Sequence, residues 1–226
     1  MKIFEKCERL DNVARAKEWG LYPYFHVLNT KQDTRVEMEG RDILMIGSNN
    51  YLGLTSDERV IRAGVEALEK YGSGCSGSRF LNGTLETHVA LEKELAAFLR
   101  KEDAVTFSTG FQSNLGIISA VAGRTDTVLC DKENHASIYD GCRLSFAKMV
   151  RYNHSDMEDL ERKLASLDLS AGGALIVTDG VFSMSGEICR LPEIVRIAKK
   201  YGAGVMVDDA HGLGVLGEGG RGTASH

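Results

Sequence analysis

Short apolar stretches alternate with segments of helical periodicity over residues 104–207, and this alternation constrains the fold more than any other feature of the sequence. Helical segments lie near residues 111–122, 136–145, 156–166 and 192–201. Strands of four or five residues with two apolar faces must be covered on both sides, so the pattern predicts an α/β fold with a mainly parallel sheet between two layers of helices. The predicted strands are Ala104–Phe107, Thr127–Cys130, Ala147–Arg151, Ala174–Thr178 and Gly204–Val207.

The earlier part of the chain has a different pattern. Residues 4–20 have helical spacing, and short alternating stretches follow around Val36–Met38 and Ile43–Ile46. Capping-box signatures at residues 55–58 and 155–158 each predict the start of a helix, the first of which ends near Tyr71. We therefore expect an N-terminal segment, residues 1–54, followed by part of a larger domain, residues 55–226.

Composition argues against several functional classes. The 27 Lys and Arg residues against 32 Asp and Glu give a net charge of −5, and no basic cluster is interleaved with aromatic residues, which argues against a nucleic-acid partner. The five cysteines form no CxxC pair, as expected in a reducing compartment, and we predict no metal site. Since the sequence has no signal-peptide pattern and no run of about 18 apolar residues, we expect a cytoplasmic protein without a transmembrane segment.

Polar residues follow three of the predicted strands, and ligands of such sheets bind at the carboxyl ends of the strands. The run Ser108–Asn114 opens a helix whose first backbone N–H groups favour a phosphate, although an ordinary helix cap has the same pattern. His135 lies shortly after the strand Thr127–Cys130, where a single histidine can equally be structural. Each of these two signals is weak by itself.

Asp208 and His211 follow the strand Gly204–Val207. A carboxylate here can keep a heterocyclic nitrogen protonated, and a protonated pyridine is the electron sink that pyridoxal 5′-phosphate (PLP) provides. The alternative is that both residues cap the next loop. Because the three strand ends share one edge of the sheet, we expect His135, Asp208 and His211 to converge on one cleft beside Gly110.

Two glycine-rich stretches resemble nucleotide-binding motifs only superficially. Gly212–Gly217 matches GxGxxG after a strand, but the following residues continue as a loop, whereas a dinucleotide fingerprint requires a helix to begin within the glycines. Gly72–Ser78 lacks the GK[ST] of a P-loop, and its composition fits a flexible active-site loop or a plain linker. A Rossmann-type nucleotide binder is therefore disfavoured.

The motifs in this order resemble those of the α-oxoamine synthases, PLP-dependent enzymes of fold type I that condense an amino acid with an acyl-CoA and release CO₂. Within the family, the runs HASIYDGC and SRFLNGT are most similar to bacterial serine palmitoyltransferases, which are soluble homodimers. Aminooxononanoate synthase, aminoketobutyrate CoA ligase and aminolevulinate synthase remain alternatives. The blocks that carry the resemblance are Ser48–Leu54, Arg79–Thr84, Ser108–Phe111, Asn134–Cys142, Gly180–Met184 and Val207–Gly212.

The resemblance implies a role for each residue at the strand ends. Gly110 and Phe111 would hold the phosphate of PLP, and His135 would stack on the pyridine ring and contact the substrate carboxylate. Asp208 would pair with the pyridinium nitrogen, and His211 would bind the phenolic oxygen. His135, Asp208 and His211 would thus be the catalytic residues in this chain.

The resemblance also implies the rest of the active site. Ser183 would lie near His211, and Asn49 near the substrate. Serine and palmitoyl-CoA would be the substrates of a homodimer with its active site at the subunit interface. The lysine that binds the cofactor covalently belongs to a later block of the family, so we expect it beyond His226, together with the C-terminal domain, and we expect this chain alone to be inactive.

A non-catalytic subunit of the same fold, supporting an active partner, is the alternative from another functional class. The presence of His135, Asp208 and His211 argues against it. A pocket that is freed from catalysis has no physical need for a ring-stacking imidazole and a pyridinium counter-ion.

Overall fold

The computed structural model describes residues 4–8 and 11–226. The chain divides into two compact units, Met1–Gly74 and Cys75–His226. The domain boundary that the sequence predicts after residue 54 stays a prediction, and the compact units divide later in the chain.

Within its described residues, 4–8 and 11–74, the first unit contains two helices and one β-hairpin. The predicted helical segment 4–20 is a helix only over α1, Asp11–Glu18, while residues 9 and 10 lie outside the described part. Strands β1, Arg35–Met38, and β2, Arg41–Leu44, pair antiparallel through a two-residue turn in which Glu39 and Gly40 both have positive φ. Strand β2 therefore begins and ends two residues earlier than the predicted stretch Ile43–Ile46.

Helix α2, Glu58–Tyr71, confirms the predicted helix but not its predicted capping box. Asp57 is the N-cap, and its carboxylate accepts from the Arg59 backbone N–H at 2.8 Å. A carboxylate is as good a cap as a hydroxyl, so Asp57 can cap the helix in place of Thr55, and the helix begins two residues later than the capping box predicts.

The second unit is built around a four-stranded sheet in the order β4-β3-β5-β6, and all three pairings are parallel. The strands are β3, Thr127–Asp131; β4, Lys148–Tyr152; β5, Ala174–Asp179; and β6, Gly204–Asp208. The helices are α3, Glu86–Leu99; α4, Gly110–Val121; α5, Ala136–Ser145; α6, Met157–Ala165; and α7, Leu191–Tyr201. The bounds of β3 to β6 and of α4 to α7 lie within about two residues of the predicted ones, and the parallel sheet is confirmed.

Alternate residues of the central strands belong to two separate hydrophobic clusters. Val128 and Cys130 of β3 pack with Ile118, Ile138 and Cys142 from α4 and α5. On the other side, Leu129 and Ile176 pack with residues of α6 and α7, among them Leu160, Leu164, Ile194 and Ile197. Each buried aliphatic side chain contributes about 1.5–3 kcal/mol relative to exposure. Burial on both faces therefore explains why β3 and β5 read as continuous apolar runs.

The prediction of a strand at Ala104–Phe107 is wrong for the part of the chain that the structure describes. The Thr106 backbone N–H donates to the Glu92 carboxylate at 2.8 Å instead of to a neighbouring strand. Val105 is 68% exposed and Phe107 41% exposed. An apolar stretch becomes a strand only when another strand pairs with it, and the sequence pattern does not report the partner.

Helix α6 also begins one residue later than its capping box predicts. Ser155 has φ 51° and donates its backbone N–H to Asp131 Oδ2 at 3.0 Å. Asp156 is the N-cap, accepting from the Asp159 backbone N–H at 2.9 Å. Ser155 therefore lies in the loop between β4 and α6, and its bond to Asp131 ties this loop to the end of β3.

The turn after β6 is organised around Asp209. Its carboxylate accepts from the Thr223 backbone N–H at 2.7 Å and from the Thr223 hydroxyl at 2.5 Å. A Cβ at Gly180, Gly212 or Gly222 would lie within 3 Å of this carboxylate. The GxGxxG run continues into a short 3₁₀ turn, Glu218–Gly220, rather than a helix, so Gly212 is explained by packing against Asp209 and not by a dinucleotide.

Candidate active site

A cavity of about 120 Å³ lies at the carboxyl ends of the strands in the second unit. It brings together six of the residues that the sequence singles out: Gly110, Phe111, His135, Ser183, Asp208 and His211. Asn114, Ser137 and Asp179 also line it. The predicted convergence of His135, Asp208 and His211 beside Gly110 is therefore present in the fold, while the chemical role of each residue stays a prediction.

The N-terminus of α4 forms one wall of the cavity. Thr109 is the N-cap, and its hydroxyl accepts from the Gln112 backbone N–H at 3.1 Å. The N–H groups of a first helical turn have no partner within the helix, and the helix dipole favours an anion there. No heavy atom lies within 4 Å of the position that a Cβ on Gly110 would take, so open space faces this turn.

His135 is the N-cap of α5, and its ring is held by the helix that it caps. The Ser137 backbone N–H donates to His135 Nδ1 at 3.3 Å, and the Ser137 hydroxyl lies 2.7 Å from the same nitrogen. Because Nδ1 accepts from the backbone, the proton of the neutral ring belongs on Nε2. The orientation and the tautomer of this ring are thus fixed by local structure.

Asp208 is half-buried at the end of β6 and is held by Asn114. The Asn114 amide donates to Asp208 Oδ2 at 2.7 Å and to the Ser137 hydroxyl at 2.8 Å. Asn114 is 4% exposed and Ser137 1% exposed. A continuous hydrogen-bonded chain therefore runs from Asp208 through Asn114 and Ser137 to the His135 ring, and buried networks of this kind are rigid when every member is satisfied.

A second carboxyl group, Asp179, lies beside Asp208. The two residues are partners in the parallel register of β5 and β6. Asp179 Oδ2 accepts from the His135 backbone N–H at 3.0 Å, and the Asp179 backbone N–H donates to the Asn134 side chain at 3.1 Å. Burial and the negative charge of Asp208 raise the pKa of Asp179 to about 7.

Ser183 and His211 complete the cavity wall. Ser183 lies on an exposed loop that is anchored by its neighbour Phe182, which is 2% exposed and packs edge-on against the His154 ring at a centroid distance of 4.5 Å. His211 is half-buried just after β6. Asn49 belongs to the first unit, where its side chain accepts from the Tyr51 hydroxyl at 3.3 Å, and its contact with substrate stays a prediction.

Three lining residues with polar side chains, Asn114, Ser137 and Asp179, were not predicted as site residues. Asp179 directly follows the predicted strand Ala174–Thr178, so the strand-end rule that selected Asp208 also applied to it. Asn114 lies one helical turn after Gly110, on the face that meets the same cavity. Ser137 carries no signal of its own in the sequence, because its importance depends on Asn114.

Two further observations concern the described residues, 4–8 and 11–226. No group of three or more His, Cys, Asp or Glu residues could hold a metal ion there. None of the helices in these residues combines the length and the apolar character that crossing a membrane requires.

The sequence is similar to known proteins over nearly its whole length. It matches the family model described as aminotransferase class I and II over residues 41–225. A serine palmitoyltransferase of Sphingobacterium spiritivorum is 56% identical over 225 residues, covering 100% of this chain and 56% of that protein. An 8-amino-7-oxononanoate synthase of Geobacter sulfurreducens is 52% identical over 208 residues, covering 92% of this chain and 53% of that protein.

Solved structures give the same result. A serine palmitoyltransferase of S. paucimobilis with a bound PLP–myriocin aldimine has a TM-score of 0.95 at 42% identity, covering 100% of this chain and 57% of that one. The serine palmitoyltransferase of Sphingomonas wittichii has a TM-score of 0.92 at 42% identity, with the same coverage. The fold is thus the expected one of PLP-dependent transferases of fold type I, and the chain spans a little over half the length of these relatives. With a family model that matches most of its residues and relatives of this kind, the chain belongs to the class I and II aminotransferase family, on its α-oxoamine synthase branch.

Proposed function

We propose that this chain forms the cofactor-binding part of a PLP-dependent acyltransferase that condenses serine with palmitoyl-CoA and releases CO₂. The observation that carries the proposal is the hydrogen-bonded chain from Asp208 to the His135 ring in one cavity. It holds an anionic and an aromatic side chain in fixed positions, which is what a protonated pyridine ring requires. The similarity to serine palmitoyltransferases supports the choice of substrates.

The residues of the cavity fit PLP. The open space at Gly110 adjoins the first-turn N–H groups of α4, which suit a phosphate. Asp208 offers a carboxylate whose orientation is fixed by Asn114. A larger cavity of about 690 Å³ shares Gly110, Asn114 and Asp208 with the first, so there is room beside the ring for further substituents.

Each side chain would have a defined task in the reaction. When bound, PLP supplies a protonated ring that withdraws electrons from the substrate Cα. Asp208 would keep the proton on the ring nitrogen, since an opposite charge favours the protonated form. Asn114 would prevent the carboxylate from rotating away, and His135 would present Nε2–H as a donor to the substrate carboxylate. His211 would donate to the phenolic oxygen of the ring, with Ser183 nearby.

Titration of the purified chain with PLP tests the cofactor site. We expect reversible binding with an absorbance change and induced circular dichroism, weakened at least tenfold by Asp208→Asn and by His135→Ala. Asp140→Asn is a matched control, because Asp140 is a surface carboxylate of α5 that pairs with Arg143. Equal affinity of the wild-type chain and the Asp208 variant would contradict the site.

The covalent part of the mechanism is expected to need residues outside this chain. We predict that the 226-residue chain forms no borohydride-reducible adduct at a unique lysine and has no condensing activity, and that a chain of the length of its relatives gains both. Turnover together with specific labelling of one lysine within residues 1–226 would overturn this prediction.

The second candidate function is that of 8-amino-7-oxononanoate synthase, favoured by the 52% identity to the Geobacter sulfurreducens enzyme. CoA release by a chain of full family length distinguishes the two. We expect faster release from palmitoyl-CoA with serine than from a pimeloyl thioester with alanine or from acetyl-CoA with glycine. The reverse order would move the protein to a sister activity within the same family.

We also propose that the protein is a cytoplasmic homodimer with its active site at the subunit interface. All five cysteines are free, which suits a reducing compartment. Phe80 and Met184 are 93% and 95% exposed, and a second subunit that covered them would remove this apolar surface from water. Sedimentation equilibrium of the full-length protein tests the dimer, and a monomer at micromolar concentration would contradict it.

A further inference from the structure

We propose that Asp179 is a proton-holding partner of Asp208, neutral while the cavity is empty and ionised once a cationic ring pairs with Asp208. This inference rests on the proposed cofactor site. On binding, the proton leaves the Asp179 carboxyl group for the solvent, and no other bond changes. The outcome is that the protein releases up to one proton for each PLP bound.

The placement of the two carboxyl groups supports this coupling. Asp179 and Asp208 end adjacent parallel strands as register partners, and both line the same cavity. The Gly180 backbone N–H donates to the Asp208 carbonyl oxygen at 2.7 Å, which extends the ladder beyond the last register pair. The backbone therefore holds the two side chains as neighbours.

The hydrogen bonds that Asp179 forms within the protein suit a neutral carboxyl group. Asp179 is 5% exposed, and its Oδ2 accepts one bond, from the His135 N–H. Its Oδ1 is buried and has no hydrogen-bond partner. An ionised carboxylate with one unsatisfied oxygen is costly to bury, whereas a neutral group carries no charge to desolvate.

The groups that surround Asp179 are mostly acidic. Asp208 and the end of β3, at Asp131, raise its pKa, whereas the His135 N–H lowers it, and burial is the largest cause of the net rise to about 7. The other titratable groups nearby are Asp209 and His211 after β6, and Cys189, whose pKa burial raises to about 11. The repulsion from Asp208 is the contribution that a bound cation can remove.

A cation on Asp208 changes this balance. It cancels the repulsion between the two carboxyl groups and adds an attraction, so the pKa of Asp179 falls. The ionised Asp179 then accepts a charge-assisted and therefore stronger hydrogen bond from the His135 N–H. Asp179 thus acts as a positioning residue, which holds His135 more firmly when the ring that His135 is expected to cover is present.

Calorimetric titration with PLP in two buffers of different ionisation enthalpy tests the proposal near pH 6.5. We expect the wild-type chain to release more protons per PLP bound than Asp179→Asn, by up to one proton. The side-chain amide of this variant is neutral, and its oxygen can still accept the hydrogen bond from the His135 backbone N–H. The control Asp140→Asn should match the wild type, and a PLP analogue with carbon in place of the ring nitrogen should abolish the difference.

Equal proton release by the wild type and the Asp179 variant would overturn the inference and leave the proposed function intact. Failure of the wild-type chain to bind PLP at any pH would overturn the proposed function itself, and this inference with it. Infrared difference spectra of the wild-type chain with and without PLP test the proposal without any substitution. We expect the band of a neutral carboxyl group to disappear on addition of PLP, and its persistence would also refute the proposal.

Discussion

The Asn114 side chain donates one N–H to Asp208 and the other to Ser137, at 2.7 and 2.8 Å. Asn114 lies on α4, Ser137 on α5 and Asp208 at the end of β6. A single amide therefore joins three elements that are far apart in sequence. This geometry makes Asn114 responsible for the positions of both the carboxylate and, through Ser137, the imidazole of the site.

Replacing Asn114 by Ala should weaken PLP binding without unfolding the chain. The change removes two donors from buried or half-buried acceptors, and such losses cost about 1–3 kcal/mol, or about 5- to 150-fold in affinity. Fluorescence titration measures the affinity, and circular dichroism reports the fold. Ser113→Ala is the matched control, because the Ser113 hydroxyl donates locally, to the carbonyl oxygen of the N-cap Thr109 at 3.1 Å. Equal affinities of the two variants would exclude a role of Asn114 in the site.

Asp179→Asn should make the free energy of unfolding less dependent on pH. The pKa of Asp179 is raised to about 7, whereas an aspartate of an unfolded chain has a pKa of about 3.9. Between these values the folded chain binds more protons than the unfolded one, so stability falls as pH rises through this window and is constant above it. At about 1.4 kcal/mol per pH unit, the full effect is about 4 kcal/mol.

Urea unfolding at pH 5 and pH 8 measures this effect. We expect the stability of the Asp179 variant relative to the wild type to increase by about 2–3 kcal/mol between the two pH values. Asp140→Asn serves as the control and should show a difference near zero. A constant offset for the Asp179 variant would mean that the carboxyl group is ionised throughout.

His154→Gln should destabilise the chain at pH 5.5 more than at pH 8.5. Burial disfavours the charged ring, but the hydrogen bonds to Asp131 and Glu187, with the charges of Asp131 and Glu133, outweigh it and raise the pKa of His154. A raised histidine pKa contributes stability that is complete below the unfolded value and is lost as pH rises through the folded value. Removal of these bonds should cost about 1–3 kcal/mol at the lower pH.

His26→Gln is the control for His154, since His26 forms a comparable but more exposed pair with Glu39. Exposed pairs contribute about 0–1 kcal/mol, so its pH-dependent effect should be small. Hydrogen exchange of residues 181–188, the loop that Glu187 and Phe182 tie to His154, gives a second readout. Unchanged exchange in the His154 variant would argue that the loop is held by other contacts.

Gly141→Ala should destabilise the chain although alanine favours helices. A Cβ on Gly141 would lie 2.9 Å from the Asn114 carbonyl oxygen and 3.0 Å from Ile118 Cδ1, so α4 and α5 would have to separate. Overpacking of this kind costs about 1–3 kcal/mol. The control is Gly64→Ala in α2, where no heavy atom lies within 4 Å of the new Cβ and stability should rise by up to about 1 kcal/mol. Thermal unfolding of the two variants should shift in opposite directions.

The sequence predicts those parts of the fold that follow from local pattern. The strands at Thr127 and Ala174 have two apolar faces because helices cover both, and their bounds agree within one residue. The apolar stretch Ala104–Phe107 has the same pattern without a paired neighbour, and no local signal distinguishes the two cases. Helices α2 and α6 begin later than their capping boxes predict, because a carboxylate nearer the helix is the N-cap in place of the expected hydroxyl.

The sequence predicts the site residues that directly follow a predicted strand. Asp208 and His135 follow strands and were found by that rule. Asn114 was not, because its importance comes from a hydrogen bond to a residue 94 positions away. Asp179 also follows a predicted strand, but its raised pKa depends on the neighbouring carboxyl group of Asp208, which only the strand order reveals.

The packing of Asp209 against three glycines limits how this fold can change over evolutionary time. A side chain at Gly180, Gly212 or Gly222 would collide with the carboxylate while Asp209 is present. A smaller residue at position 209 must therefore appear first, at the expense of the bonds to Thr223. Homologous lineages should therefore keep the three glycines wherever they keep the aspartate, so that substitution of Asp209 precedes substitution of any of the glycines.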